Sequence, residues 1–239
     1  MFIAGPCAIQ SYDQAMRDAE ECVKLGIEYF RAGVFKPRTY AGSFQGLGEK
    51  GMEILMKVKK QTGLKVVTEL TAEKYIPLYE NVDIIQIGSR NCQNFELLKE
   101  VAKLGKTVLL KRGFGMTANE FLAAATYLFD GGLTRKNIIF CERGIKTFET
   151  STRNTLDVST IALLKQSGYN VIADPSHATG LNDIVVPCGK AAIVAGANGV
   201  MVEIASNPDN LLSDKDQAIN YKQLAELKRF YDFWKTNPL

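Results

Sequence analysis

The sequence predicts an α/β fold of one domain, a (β/α)8 (TIM) barrel, and three observations carry that expectation. Short apolar, β-branched runs alternate with longer amphipathic segments along the whole chain, the pattern of a parallel sheet whose strands are joined by helices. About eight such units fit within 239 residues, which suits the closed barrel; an open doubly wound sheet more usually has roughly five or six strands. No Pro/Ser-rich linker, low-complexity tract or break in composition divides residues 1–239, so no separate regulatory domain is expected.

Taken in order, the first unit pairs a strand at Phe2–Gly5 with a helix at Tyr12–Leu25, stopped by Gly26. The second pairs Tyr29–Val34 with Glu49–Thr62, stopped by Gly63, and the third pairs Lys65–Glu69 with Ala72–Tyr79. Asp83–Ile87 leads to Phe95–Leu104, which ends at Gly105, and Thr107–Leu110 leads to Ala118–Phe129. Asn137–Cys141 is followed by Thr155–Gln166, and Asn170–Ala173 by Pro187–Ala195. Gly199–Ile204 and Asp216–Trp234 close the series. Glycine after the last apolar residue of a helix is the expected stop, because it enters the left-handed region without a Cβ clash.

Bulk composition excludes several classes of function. A net charge of +3 is too small to argue for nucleic acid or a membrane surface, and no apolar run approaches the roughly 20 residues that span a bilayer. The start, Met1-Phe2-Ile3-Ala4-Gly5-Pro6, has neither the charged region nor the cleavage site of a signal peptide. Five widely spaced cysteines form no C-x-x-C pair, so a disulfide framework is not expected and a cytoplasmic location is.

Barrel enzymes place their chemistry where strands run into the following loops. Here those positions carry Cys7, Arg31 with Lys36 and Arg38, Glu69, Arg90, Lys111, Glu142-Arg143, Asp174 with His177, and Glu203. Arg31, Lys36, Arg38, Arg90, Lys111 and Arg143 are too many cations for one monoanion. Crowded together they repel unless anions are present, and arginine supplies the flat fork that suits phosphate and carboxylate. Two anionic substrates, at least one of them with two anionic groups, are expected. The plainer alternative is a set of surface ion pairs with loop carboxylates.

His177 is the only histidine in the chain and follows a buried strand. A neutral imidazole there suits a borderline metal ion or a proton transfer. Cys7, His177, Glu203 and the later Asp214 make a mixed donor set compatible with a divalent ion, Mn, Fe, Co or Zn, and softness does not choose among these. Gly113-Phe114-Gly115 is weak evidence for a phosphate-cradling turn, and the aromatic spacing from Tyr221 to Trp234 reads as packing of the last helix.

Several stretches together resemble the 3-deoxy-7-phosphoheptulonate (DAHP) synthases of the compact type Iβ. They are Ala4-Gly5-Pro6-Cys7, Arg31-Ala32-Gly33, Phe35-Lys36-Pro37-Arg38-Thr39, Ser43 to Gly48, Gln86 to Asn91, Leu110-Lys111-Arg112-Gly113, Cys141-Glu142-Arg143-Gly144, Thr152 to Asp157 and Asp174 to Gly180. The resemblance implies a metal-dependent condensation of phosphoenolpyruvate with erythrose 4-phosphate that releases phosphate, the entry to aromatic amino acid biosynthesis. It also implies roles. Arg90, Lys111 and Arg143 would hold the phosphoenolpyruvate phosphate, Arg31 and Lys36 its carboxylate, and Arg38 with Thr39 the aldose phosphate. Cys7, His177, Glu203 and Asp214 would be metal ligands, and Lys36, His177 and Glu142 are candidates for proton transfer. A homo-oligomer, tetramer or dimer, is expected, and any feedback control is expected to come from a separate regulatory protein.

One departure is Ala205, where the family usually has histidine two positions after the strand-eight glutamate. The alternatives are a sister synthase that uses a longer aldose phosphate and makes 3-deoxy-octulosonate 8-phosphate, or a barrel that binds anions without catalysis. The Lys36-Pro37-Arg38-Thr39 segment argues against the sister enzyme.

Overall fold

In a computed structural model, which describes residues 1–237, eight parallel strands close into a barrel in chain order. They are β1 (Phe2–Gly5), β2 (Tyr29–Arg31), β3 (Lys65–Glu69), β4 (Ile84–Ile87), β5 (Thr107–Lys111), β6 (Ile138–Glu142), β7 (Asn170–Ala173) and β8 (Gly199–Glu203). Closure comes from β1 against β8, with Gly5 opposite Glu203. The helices are α1 (Tyr12–Lys24), α2 (Glu49–Thr62), α3 (Phe95–Ala102), α4 (Ala118–Asp130), α5 (Val158–Gln166), α6 (Pro175–Thr179), α7 (Asn182–Val194) and α8 (Tyr221–Thr236). None among the described residues is long and apolar enough to cross a membrane.

The two-residue period of the strands sorts their side chains. Ala4, Phe30, Val66, Ile85, Val108, Phe140, Val171 and Val202 face outward into the main core under the helices. Ile3, Val67, Ile84, Leu109, Ile139, Cys141, Ile172 and Met201 pack inside the barrel as a second apolar cluster, with Tyr29 against it. The next inward position toward the carboxyl end of each strand, two residues on, is Gly5, Arg31, Glu69, Gln86, Lys111, Arg143, Asp174 and Glu203. An apolar plug thus supports a polar layer at the mouth. Gly5 is obligatory there: it has φ +151°, and an added Cβ would lie 1.9 Å from the Arg31 carbonyl oxygen.

Several expected elements differ in extent. The third helix, expected at Ala72–Tyr79, is a 3-10 segment at Glu73–Tyr79 that contains Pro77. α5 starts at Val158 rather than Thr155 because Asp157 caps it, accepting from the Thr160 amide at 3.0 Å. α7 starts five residues before Pro187 and carries that proline inside it. Burial of Val185 and Val186 there outweighs the one amide the proline lacks. α8 begins at Tyr221, not Asp216, where Asn220 and Gln223 form a reciprocal capping box. The segment around His177, which follows β7, is the short helix α6. Asp174 caps it, Pro175 opens it, and Gly180 at φ +69° ends it.

Candidate functional site at the barrel mouth

A cavity of about 240 Å³ opens at the carboxyl end of the strands, and Cys7, Arg31, Lys36, Arg38, Thr39, Arg90, Lys111, Arg143, His177 and Asp214 all line it. Residues spread over two hundred positions are therefore neighbours. Donor atoms of Cys7, His177 and Glu203 lie within 4.8 Å of one another. His177 reaches them because α6 turns its ring back over β8. Its Nδ1 is 2.7 Å from Asp174 Oδ2 and its Nε2 is 3.2 Å from Glu203 Oε1. A carboxylate on one ring nitrogen fixes the tautomer that leaves the other free to ligate.

Electrostatics prepares the same three groups unequally. Burial lowers His177 to about 4 against the pull of Asp174 and Glu203, so the imidazole is neutral. Burial, with Glu203 nearby, pushes the Cys7 thiol up to about 12. Burial also opposes charge on Glu203, but the imidazole beside it and Arg31 at 2.7 Å hold that carboxyl at about 2. A divalent cation would displace the thiol proton and complete the set.

Asp214, expected as a fourth donor, approaches from one side only. The Cys7 thiol donates to its Oδ2 at 3.3 Å, yet it stands outside the tight group of three. Lys36 at 2.6 Å, Arg38 at 3.3 Å and Arg153 at 3.3 Å all draw on it. Burial opposes its charge, but Lys36 above all, with His177 and the Cys7 thiol, holds it well below the usual carboxylate range. Its φ of +56° is the one left-handed non-glycine backbone among the described residues, a local strain of about 1 kcal/mol or more. The Lys36 ammonium also touches Cys7 Sγ.

On the β4–β6 side the balance of charge changes. Lys111 pairs with Asp174 at 2.5 Å. Among the described residues, neither Arg90 nor Arg143 forms an ion pair. Arg90 donates to Thr39 Oγ1 at 3.2 Å. Arg143 is only 3% exposed; burial lowers its pKa, and Asp174 offsets this only in part. The plainer alternative of surface ion pairs therefore does not describe these two arginines.

Glu142, expected as a proton carrier, is not among the residues that line the cavity. One oxygen accepts from Arg112 at 2.8 Å and the other from the Gly144 amide at 2.7 Å. Arg112 also holds Asp157 at 2.9 Å, so Glu142 ties β6 to the outer loops. Adjacent strand residues face opposite ways, and Arg143 takes the inward place.

Other residues lie in the site without having been given a role. Glu69 faces the cavity, accepts from Gln86 at 3.2 Å, and has its pKa raised by burial against the pull of Lys111, Lys36 and Arg31. Gly88 makes room for it, since an added Cβ would lie 2.0 Å from Glu69 Oε1. Gln217 donates to Glu203 Oε2 at 2.6 Å and accepts from Arg153 at 2.7 Å, which fixes the plane of the Glu203 carboxylate. Glu69 already stands among the strand-end residues of the sequence, and inward periodicity could have found Gln86; no local pattern marks Gln217 or Arg153.

A closed parallel barrel with a thiol–imidazole–carboxylate cluster facing unpaired guanidinium groups defines a barrel enzyme that handles anions beside a candidate metal site. Residues 1–237 match the DAHP synthetase I family, and the chain belongs to that family. A phospho-2-dehydro-3-deoxyheptonate aldolase of Thermotoga maritima is 46% identical over 227 residues, 94% of this chain and 67% of the relative. The crystal structure of a Thermotoga maritima protein of that name, also titled DAHP synthase, superposes with a TM-score of 0.94 at 43% identity, covering 99% of this chain and 70% of that one. A 2-dehydro-3-deoxyphosphooctonate aldolase of Magnetococcus marinus is 30% identical over 245 residues, 94% of this chain and 84% of the relative.

Proposed function

We propose that this chain is a metal-dependent 3-deoxy-7-phosphoheptulonate synthase, joining phosphoenolpyruvate to erythrose 4-phosphate with release of inorganic phosphate. The observation that carries this reading is the divided mouth: two guanidinium groups without carboxylate partners among the described residues lie across one cavity from a cluster of three donor types. One face suits a phosphate, the other a divalent ion.

Arg90, Lys111 and Arg143 hold the enol phosphate, while Arg31 and Lys36 hold the carboxylate of the same substrate. Arg38 and Thr39, farther out on the loop after β2, hold the phosphate of the aldose. Fixing both anions brings the nucleophilic methylene against the aldehyde carbon, and such orientation contributes several kcal/mol of barrier lowering. Cys7, His177 and Glu203, with Asp214 beside Cys7, fit a divalent ion (Mn, Fe, Co or Zn) by donor type and spacing. When bound, the ion supplies Lewis-acid polarisation and orientation of the aldehyde oxygen.

The new carbon–carbon bond leaves an alkoxide on the aldose and positive character on the central enol carbon. Water captures that carbon, and the hemiketal phosphate collapses with carbon–oxygen cleavage to expel phosphate. Lys36, kept charged by Cys7, Glu203 and Asp214 against the effect of burial, is placed to protonate the alkoxide. With Glu142 occupied by Arg112 and the two His177 nitrogens engaged by Asp174 and by the ion, Glu69 is the group left inside the cavity to take the proton from water. We also read the protein as a cytoplasmic homo-oligomer, tetramer or dimer, with any feedback control supplied by a separate regulatory protein.

The test compares aldose phosphates. Purified protein with added Mn²⁺ is expected to release phosphate from phosphoenolpyruvate with erythrose 4-phosphate, and far more slowly with arabinose 5-phosphate. The reverse preference would make it the octulosonate-type enzyme, the name borne by the Magnetococcus relative. Anion binding without phosphate release would leave a non-catalytic barrel.

A further inference from the structure

Phe114 stands in the loop after β5, lines the cavity, and has no place in the reaction outlined above. The Arg143 guanidinium carbon lies 4.7 Å from the centre of its ring, and that of Arg90 lies 5.7 Å from the same centre. Both distances are within the roughly 6 Å over which an aromatic face attracts a cation. The ring's place is fixed from two sides. The Lys146 amide donates to the Phe114 carbonyl at 2.8 Å, and Gly113 and Met116 close a tight turn at 3.3 Å. Arg112 clamps that turn by donating from Nε to the Met116 carbonyl at 3.0 Å.

Two unpaired guanidinium groups sharing one cavity wall repel each other, and something must hold them before an anion arrives. A carboxylate would hold them but would also cancel the field an anion responds to. An aromatic face attracts through its quadrupole and adds no net charge.

We propose that Phe114 is a positioning residue of the anion subsite, whose ring supports Arg90 and Arg143 without neutralising them and so keeps both aimed at an incoming phosphate group. This rests on the reading of Arg90 and Arg143 as phosphate-holding groups. It also gives a use to a turn in which two glycines alone say little: the side chain between them contributes, rather than the backbone amides.

The experiment titrates inorganic phosphate, then phosphoenolpyruvate, into the full chain and into Phe114→Leu and Phe114→Tyr, followed by steady-state kinetics. Loss of the ring face is expected to weaken both anions about three- to tenfold in Phe114→Leu. Phe114→Tyr, which keeps the face, should stay within about twofold of the parent. In turnover the change should fall on KM for phosphoenolpyruvate more than on kcat, and KM for the aldose phosphate should not follow it. Should Phe114→Leu fail to fold, Phe114→Met carries the same comparison. Parent-like binding by the Leu variant overturns the proposal. So does an equal loss in the Tyr variant, or a parallel rise in both KM values, since each marks the ring as packing alone. A protein that binds phosphate through Phe114 yet condenses nothing keeps this inference and refutes the synthase reading; full synthase activity with indifferent Phe114 variants does the opposite.

Discussion

The two halves of the barrel mouth carry similar cations and treat them differently. Around β1, β2 and β8, Arg31, Lys36 and Arg38 are each matched to a carboxylate, Glu203 or Asp214. Around β4 and β6, Arg90 and Arg143 have none among the described residues. The choice is most consequential for Arg31 and Arg143, which are buried, because an isolated buried charge costs several kcal/mol while a matched one costs far less; Arg90 is exposed and water screens it. The first half is neutralised in advance and presents neutral or anionic donors to a cation. The second is left positive and is completed only by an anion. Identical residue types thus acquire opposite uses from their partners, not from their own chemistry.

The largest expected effect comes from removing donors on the first half. Cys7→Ser and His177→Ala should lose tightly held metal and on the order of 10³-fold in turnover. Metal retained after chelator dialysis, measured by elemental analysis, and phosphate release report the two losses. Phosphate binding in the second half should survive both substitutions. If metal content and turnover both persist in the chelator-treated variants, the donor cluster is structural.

A smaller and more instructive effect is expected from Arg143→Met. Charge-assisted hydrogen bonds are worth about 1.5–3 kcal/mol, so phosphoenolpyruvate binding should weaken roughly 10- to 100-fold. The same change removes a buried charge with no counterion. The substrate-free protein should therefore melt higher, by about 2–4 °C for each kcal/mol gained in a chain of this size. A lower melting temperature would mean that the guanidinium already has an internal partner worth as much as the ligand, and the contrast between the halves would fail.

How far this layout is legible in the sequence depends on the kind of signal each residue gives. The barrel is written in the alternation of strands and helices, and the mouth in the charges that follow each apolar run. The inward phase of a strand is harder. In β6, Ile138, Ile139, Phe140 and Cys141 are apolar on both faces, as in any parallel strand covered on both sides. Nothing local then says whether Glu142 or Arg143 faces the cavity. The neighbouring pair Lys111-Arg112 poses the same question at the end of β5, where Lys111 faces in and Arg112 takes the outer network. Gln217 and Arg153 lie 64 positions apart and meet only through the tertiary fold. Asp214 shows the remaining difficulty: its loop brings it to Cys7, but three cations compete for its oxygens.

A buried carboxylate away from the mouth sharpens the comparison further. Asp18 on α1 accepts from the Tyr221 hydroxyl at 2.7 Å and from Gln14 Nε2 at 2.7 Å. Both donors are neutral, and among the described residues no ion pair reaches it. Burial pushes its pKa up to about 6, whereas Glu203, equally buried beside Arg31, goes down to about 2. The native state therefore binds more protons than the unfolded chain between about pH 4 and pH 6. Stability from this group is greatest at or below about pH 4, falls as pH rises through that window, and levels off above about pH 6, a loss on the order of 3 kcal/mol. Asp18→Asn keeps an acceptor for Tyr221 and removes the titration. Denaturant unfolding should find the variant close to the parent near pH 4 and more stable at about pH 7.5. A variant that is relatively weaker at the higher pH would show that Asp18 is charged and held by an attraction as strong as those at the mouth.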